Sequence, residues 1–215
     1  MNDQKNIVKT AVLDSKKQTE LKNKLADIFT QFIDTLNGYD NQVAPHQHIK
    51  ETPERMARMF AYELLEGCYS NPPRMTVFDN DNPDSLSPVV VNNIDTKSLC
   101  SHHFVPFYGK ACVYYIPNKK VAGVSKFARI VNYFARRPQI QEELTKQVCT
   151  YLNDKLHPHI LGVGIRARHM CMTHRGANQY NSDMETYHII INSPDMGYKN
   201  YDIQKILEKK LENVF

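Results

Sequence analysis

Apolar residues recur three and four apart at Leu21, Leu25, Ile28, Phe29, Phe32, Ile33 and Leu36, which predicts an amphipathic helix over 15–36, closed by Gly38. Thr52 as N-cap and Pro53 at the first helical position announce a second helix running to about Gly67. Over 71–98 the chain is broken by Pro72, Pro73, Pro83 and Pro88, with Val89-Val90-Val91 between polar stretches, so loops and short strands are expected. Val and Tyr dominate 110–116 and predict a strand that enters a turn at Pro117-Asn118-Lys119-Lys120. Helical spacing returns at Phe127, Ile130, Val131 and Phe134, and Pro138 restarts a helix carried by Ile140, Leu144, Val148, Tyr151 and Leu152. From Leu161 to Cys171 apolar and basic residues alternate with period two, predicting a strand in which His169 and Cys171 share a face about 6 to 7 Å apart. A further strand over 186–192 and a closing helix over 203–211 complete the pattern. Helices, strands, a helix pair and strands in that order argue for an α+β fold.

The length of 215 residues fits one core with a terminal appendage, and 41% hydrophobic with 23% charged residues excludes wholesale disorder and collagen-like repeats. The formal net charge of +4 is too small to argue for a nucleic-acid partner, so any anion site must be local. The polar start Met1-Asn2-Asp3-Gln4-Lys5-Asn6 does not resemble a secretory signal, and no apolar run approaches the roughly 18 residues of a membrane helix. A cytoplasmic location without a membrane partner is the expectation. There the 5 cysteines, an odd number, remain thiols for packing or for a metal.

Candidate metal chemistry lies in two places. Cys100-Ser101-His102-His103 sets a thiol and an imidazole three residues apart, and His169-Met170-Cys171 supplies another pair. Zinc favours tetrahedral Cys and His ligation, and a catalytic zinc keeps three protein ligands with the fourth position open. An open Cys100, His103, Cys171 set therefore competes with a closed set that adds His169, and the spacing also admits a metal-free arrangement. His102 adds an imidazole of the kind that moves protons near neutral pH. Cys68, Cys112 and Cys149 have no spaced partner and read as packing residues.

Candidate anion chemistry opens the helix after Gly123. Ser125-Lys126-Phe127-Ala128-Arg129 places two basic side chains on one face beside amide N–H groups that lack intrahelical partners, the outline of a phosphate site and equally of a solvated basic face. Arg175 follows the metal-strand pair by four residues, and Gln141-Glu142 stand early in the next helix.

Five segments carry more than their spacing: Glu51-Thr52-Pro53-x-Arg55; Cys100-x-His102-His103; Pro117 to Val131 with Gly123, Ser125, Lys126 and Arg129; Arg136-Arg137-Pro138-Gln139-x-Gln141-Glu142-x-Leu144-Thr145; and His169-Met170-Cys171-Met172-x-x-Arg175-Gly176. In this order they resemble GTP cyclohydrolase I over about residues 20 to 176. The resemblance implies the tunnelling fold: an antiparallel sheet with helices packed on one side, a helical N-terminal region over 1–70, and a catalytic domain over 71–215. It also implies association into a β-barrel toroid, usually a homodecamer with active sites between subunits. By position it implies Cys100, His103 and Cys171 as zinc ligands, which favours the open set, and His102 and His169 as proton-transfer residues. Ser125, Lys126, Arg129 and Arg175 would bind the triphosphate of GTP, and Gln141 with Glu142 the guanine. The implied reaction is zinc-dependent hydrolysis at C8, releasing formate and forming 7,8-dihydroneopterin triphosphate for folate, pterin or deazapurine synthesis.

Ser101 stands where that family usually has Glu, and the segment from about 177 to Phe215 departs from its pattern. Two alternatives stand beside this reading, the first favoured if the altered tail closes the pocket. One is a non-catalytic zinc-stabilised purine-binding assembly protein, which would need neither His102 nor His169 as a free imidazole. The other is a pterin- or deazapurine-modifying enzyme of the same fold, which would not need Lys126, Arg129 and Arg175.

Overall fold

A computed structural model describes residues 12–38 and 46–215, and they form two compact units, one ending at Asn71 and the other spanning Pro72–Phe215. The polar start Met1 to Asn6, read above as unlike a secretory signal, and Pro45 lie outside the described residues. In the first unit α1 (Ser15–Asn37) is started by the Asp14 carboxylate, which accepts from the Lys17 amide at 2.8 Å. A short α2 (His46–Ile49) precedes α3 (Thr52–Met59), and the chain then widens into a π-helical turn over Phe60–Leu64 and a 3-10 turn over Glu66–Cys68. The second expected helix is thus real but loosens past Met59. Phe29 and Phe60 meet at 5.4 Å between ring centroids, and Lys22 pairs with Glu54 at 2.8 Å, tying α1 to this helix.

The second unit is built on strands. β1 (Val77–Asp79) pairs with β4 (Lys120–Ala122), while β2 (Val89–Cys100), β3 (Pro106–Ile116), β5 (Pro138–Gln139), β6 (Ile160–His169) and β7 (Met184–Ile191) form one sheet in the order β5-β2-β3-β6-β7. All its pairings are antiparallel except the short parallel β2–β5 contact. The fold is α+β, as the order of elements predicts. β2 runs far past the Val89–Val91 core of the expectation, because Asn93 adopts a left-handed φ of 56° and the register shift between Val91 and Ile94 absorbs the polar Asn pair without ending the strand.

Alternation sorts the strands' side chains onto two faces. Ala111, Val113 and Tyr115 of β3 and Val163 and Ile165 of β6 pack against α4 (Val124–Ala135) and α5 (Gln141–Leu156). Cys112, Tyr114 and Ile116 face the other way and pack with Ile203, Leu207 and Leu211 of α7 (Asn200–Leu211). The expected one-sided helical cover is therefore corrected: α7 covers the second face. Gly162 explains why it fits there, since a Cβ at that position would lie 2.7 Å from Cγ2 of Ile203. The absent side chain makes the space that the helix fills. Arg166 fastens the end of α7, donating to the carbonyls of Leu211 at 3.2 Å and Glu212 at 2.9 Å while pairing with Asp183 at 2.9 Å.

Pro138 does not restart a helix directly. Pro138–Gln139 pairs with Leu99 and Cys100 as β5, and α5 begins only at Gln141. β6 likewise stops at His169, where Met170–Thr173 turn into α6, so Cys171 does not share a strand face with His169.

Candidate active site

Three elements deliver the site. Cys100 is the last residue of β2, where the chain leaves the sheet in a tight turn held by the Phe104 amide donating to the Cys100 carbonyl at 2.8 Å and the Cys100 amide to the Val105 carbonyl at 2.9 Å. Phe104 closes that turn with a left-handed φ of 54°. His169 ends β6, and Cys171 follows in the first turn of α6. The two thiols lie 3.8 Å apart, and Cys100, His169 and Cys171 each offer a ligand atom within 4.8 Å of the others. Two sulfurs and one imidazole form a donor set suited to zinc.

His102 stands beside this group, its Nδ1 3.7 Å from the Cys100 sulfur. His103 does not point into it. Its exposed ring meets Arg175, whose Nη1 is 2.8 Å from the His103 Nε2. Arg175 also lies close enough to Cys171 to favour its thiolate, against the stronger upward push that burial and the Cys100 thiol give the Cys171 pKa. Burial holds the His169 pKa below its usual value; the Glu142 carboxylate opposes that shift and His102 adds to it. Glu142 and His102 are thus both electrostatic neighbours of His169.

Gln141, the first residue of α5, is fully buried, and its side chain lies against the sheet. Its amide nitrogen donates to the carbonyls of Ile165 and Met184 at 3.0 Å each and to the Thr186 hydroxyl at 3.1 Å, while its oxygen sits 2.9 Å from Nε2 of His169. The His169 ring also stacks on buried Phe107, with centroids 4.5 Å apart and planes 7° from parallel. Nothing local in the sequence marks Phe107 or Thr186; only the register that sets Phe107 against His169 does.

Ser125, Lys126 and Arg129 occupy the first turns of α4, opposite its buried Phe127, Ile130 and Val131. Ser125 and Arg129 are exposed and Lys126 is half-buried. Among the described residues no hydrogen bond or ion pair joins these three to the thiols. The structure therefore brings Cys100, Cys171, His102, His169, Gln141 and Glu142 together, places Arg175 and His103 at the margin, and leaves the α4 residues as a separate basic helix start.

Comparison with known proteins reaches the same segments. The profile of the GTP cyclohydrolase I family matches residues 27–193. A GTP cyclohydrolase 1 from Chlorobium phaeovibrioides is 47% identical over 135 residues, an alignment covering 61% of this chain but only 59% of that relative's length. One from Hahella chejuensis is 40% identical over 167 residues, covering 76% of this chain and 85% of the relative. One from Streptococcus agalactiae is 37% identical over 188 residues, covering 86% and 97%. Among the described residues no helix is long and apolar enough to cross a membrane.

Proposed function

The chain belongs to the GTP cyclohydrolase I family, and from that premise we propose that it hydrolyses GTP at C8, releasing formate and forming 7,8-dihydroneopterin triphosphate, the entry to folate, pterin or deazapurine synthesis. The observation that carries this reading is the convergence of Cys100 at the end of β2 with His169 and Cys171 at the junction of β6 and α6, with Glu142 an electrostatic neighbour of His169. A structural zinc has no use for the carboxylate.

Cys100 and Cys171 would hold the ion, and His103 would complete the set by turning from Arg175, which its exposed place on the loop permits. Zinc is the ion that two thiolates and an imidazole favour. When bound, it supplies acidification of water near neutral pH. His169 stays off the ion and delivers a proton to N7 as the imidazole ring of guanine opens at C8, and His102 moves protons as formate leaves. Glu142 accepts from N1–H and from the exocyclic amine of guanine, a paired contact that adenine cannot match. Arg175, released from His103, joins Ser125, Lys126 and Arg129 in holding the triphosphate, where guanidinium forks and the free amides at the start of α4 suit phosphate oxygens.

The α4 residues need a neighbouring subunit's cluster, and a cytoplasmic homodecamer with sites between subunits supplies it. Two sheet edges support that assembly: among the described residues, β7 has no partner beyond β6, and β2 pairs on its outer side only at Leu99 and Cys100. Unpaired edges of this length are templates for strand addition.

Incubating the purified, metal-replete protein with GTP should release formate and leave a pterin that fluoresces after oxidation. Absence of formate would contradict the reading.

A further inference from the structure

The amide of Gln141 can be oriented by logic alone. Its nitrogen end faces two backbone carbonyls, of Ile165 and Met184, which can only accept. Reversing the amide would set its oxygen against both at 3.0 Å in a fully buried place, where unpaired acceptors are costly. A ring of hydroxyls fixes the same sense. Thr145 donates to the Gln141 backbone carbonyl at 2.8 Å, so its contact with Thr186 at 2.6 Å must be donated by Thr186. The lone pairs of Thr186 are then left to accept from the Gln141 amide nitrogen at 3.1 Å. The circuit runs from the Gln141 side chain through Thr186 and Thr145 back to the Gln141 backbone, and the two amide protons are shared among three acceptors, the two carbonyls and the Thr186 hydroxyl.

The amide oxygen, facing outward to His169 Nε2 at 2.9 Å, can only accept. Nε2 must therefore carry a proton. The second constraint on the ring is Phe107, whose parallel stacking fixes its plane. Between them, one contact prevents the imidazole from flipping and the other from tilting.

We propose that Gln141 is a positioning residue that locks His169 with its proton on Nε2, so that Nδ1 is the nitrogen that takes up and hands on the proton in the reaction. The residue-by-residue resemblance gives Gln141 to the guanine; here its side chain is spent on the sheet and on His169, and its effect on substrate runs through the imidazole. A neutral ring of this tautomer offers its lone pair at Nδ1; a proton released by the water that adds at C8 is taken up there to give the imidazolium, and delivery to N7 then breaks Nδ1–H as N7–H forms, with the electron pair returning to Nδ1. The assignment rests on His169 acting in C8 hydrolysis for its consequence, but not for its geometry.

Nitrogen-15 NMR of the histidine-labelled, metal-replete protein tests the geometry directly, with the His169 signals assigned by difference against His169→Gln and recorded in alkaline buffer where the ring is neutral. The expected result is a protonated Nε2 in the wild-type protein. A bare Nε2 with the proton on Nδ1 overturns the proposal, whatever the activity. The kinetic arm uses Gln141→Met, which keeps the length and removes the acceptor. Its kcat should fall roughly tenfold or more while the KM for GTP stays within about twofold, and its His169 should show both tautomers. A raised KM with unchanged kcat and an unchanged tautomer would overturn positioning in favour of direct guanine contact. Should Gln141→Met fail to fold, Thr186→Val provides the second variant, because it breaks the hydroxyl circuit and leaves the two carbonyls; it should give a smaller kcat loss of the same kind. A wild-type protein that shows Nε2–H but releases no formate would leave the positioning intact and refute the proposed function instead.

Discussion

On one face of the five-stranded sheet, α4 and α5 bury a core that admits polar groups, with Gln141, Thr145 and Thr186 sealed among Leu144, Val148 and Ile165. On the opposite face α7 lays Ile203, Leu207 and Leu211 onto Cys112, Tyr114, Ile116 and Ile160, and the close approach is made by Gly162. The two faces teach different things about tolerance. An apolar contact degrades in proportion to the surface and volume removed, whereas a buried hydrogen-bonded circuit fails as a unit, since losing one partner orphans the others. Chemistry sits on the face where directions are fixed, and the end of β6 carries that direction to His169.

The strand pairing that both faces share is the place to break them together. A Cβ at Gly109 would lie 1.9 Å from the Arg166 carbonyl oxygen and 2.7 Å from Cα of Ala167, both backbone atoms of β6. Gly109→Ala should therefore separate β3 from β6 and destabilise the unit by more than about 4 kcal/mol, seen as loss of a cooperative unfolding transition in urea. Leu207→Ala should damage only the α7 face, at a cost of about 2 to 5 kcal/mol in the same titration, with metal content and formate release retained below the unfolding transition. Glu142→Gln should leave stability alone and weaken GTP binding by about 1 to 3 kcal/mol, lowering the preference for GTP over ATP in a competition assay.

A finer comparison uses the thiols. Burial pushes the Cys112 thiol, under α7, up to about 11, with Lys210 opposing, and pushes Cys149, on the buried side of α5, upward as well. Because the thiolate is the reactive form and a raised pKa leaves it scarce below that value, alkylation at pH 8 should reach the exposed Cys68 first and spare both buried thiols. In Leu207→Ala the rate at Cys112 should rise while that at Cys149 stays unchanged. Equal unmasking of both would show that the faces are not independent.

Much of this was legible in the chain. Periodicity marked α1, α4, α5 and β6, and the Cys100 and Cys171 motifs marked the cluster, because apolar spacing and ligand spacing are local. The cover of the second face was hidden because a helix over 203–211 has no address in sequence; its seat depends on Gly162 and Gly164 of β6, and Gly162 lies 41 residues before the Ile203 it faces. The extent of β2 was hidden by Asn92-Asn93, which look like a turn and are a bulge. Gln141 looked like a polar residue at a helix start, and its inward direction became visible only with the carbonyls of Ile165 and Met184, which come from two other strands.

The account turns on whether His169 moves protons or holds the ion, and the metal content of the His169→Ala protein decides it. The prediction is a protein that keeps its full metal content and binds GTP while C8 hydrolysis slows by about two orders of magnitude or more. Loss of the metal from His169→Ala would make His169 a ligand alongside Cys100 and Cys171, and would contradict the proton-transfer role on which the mechanism depends.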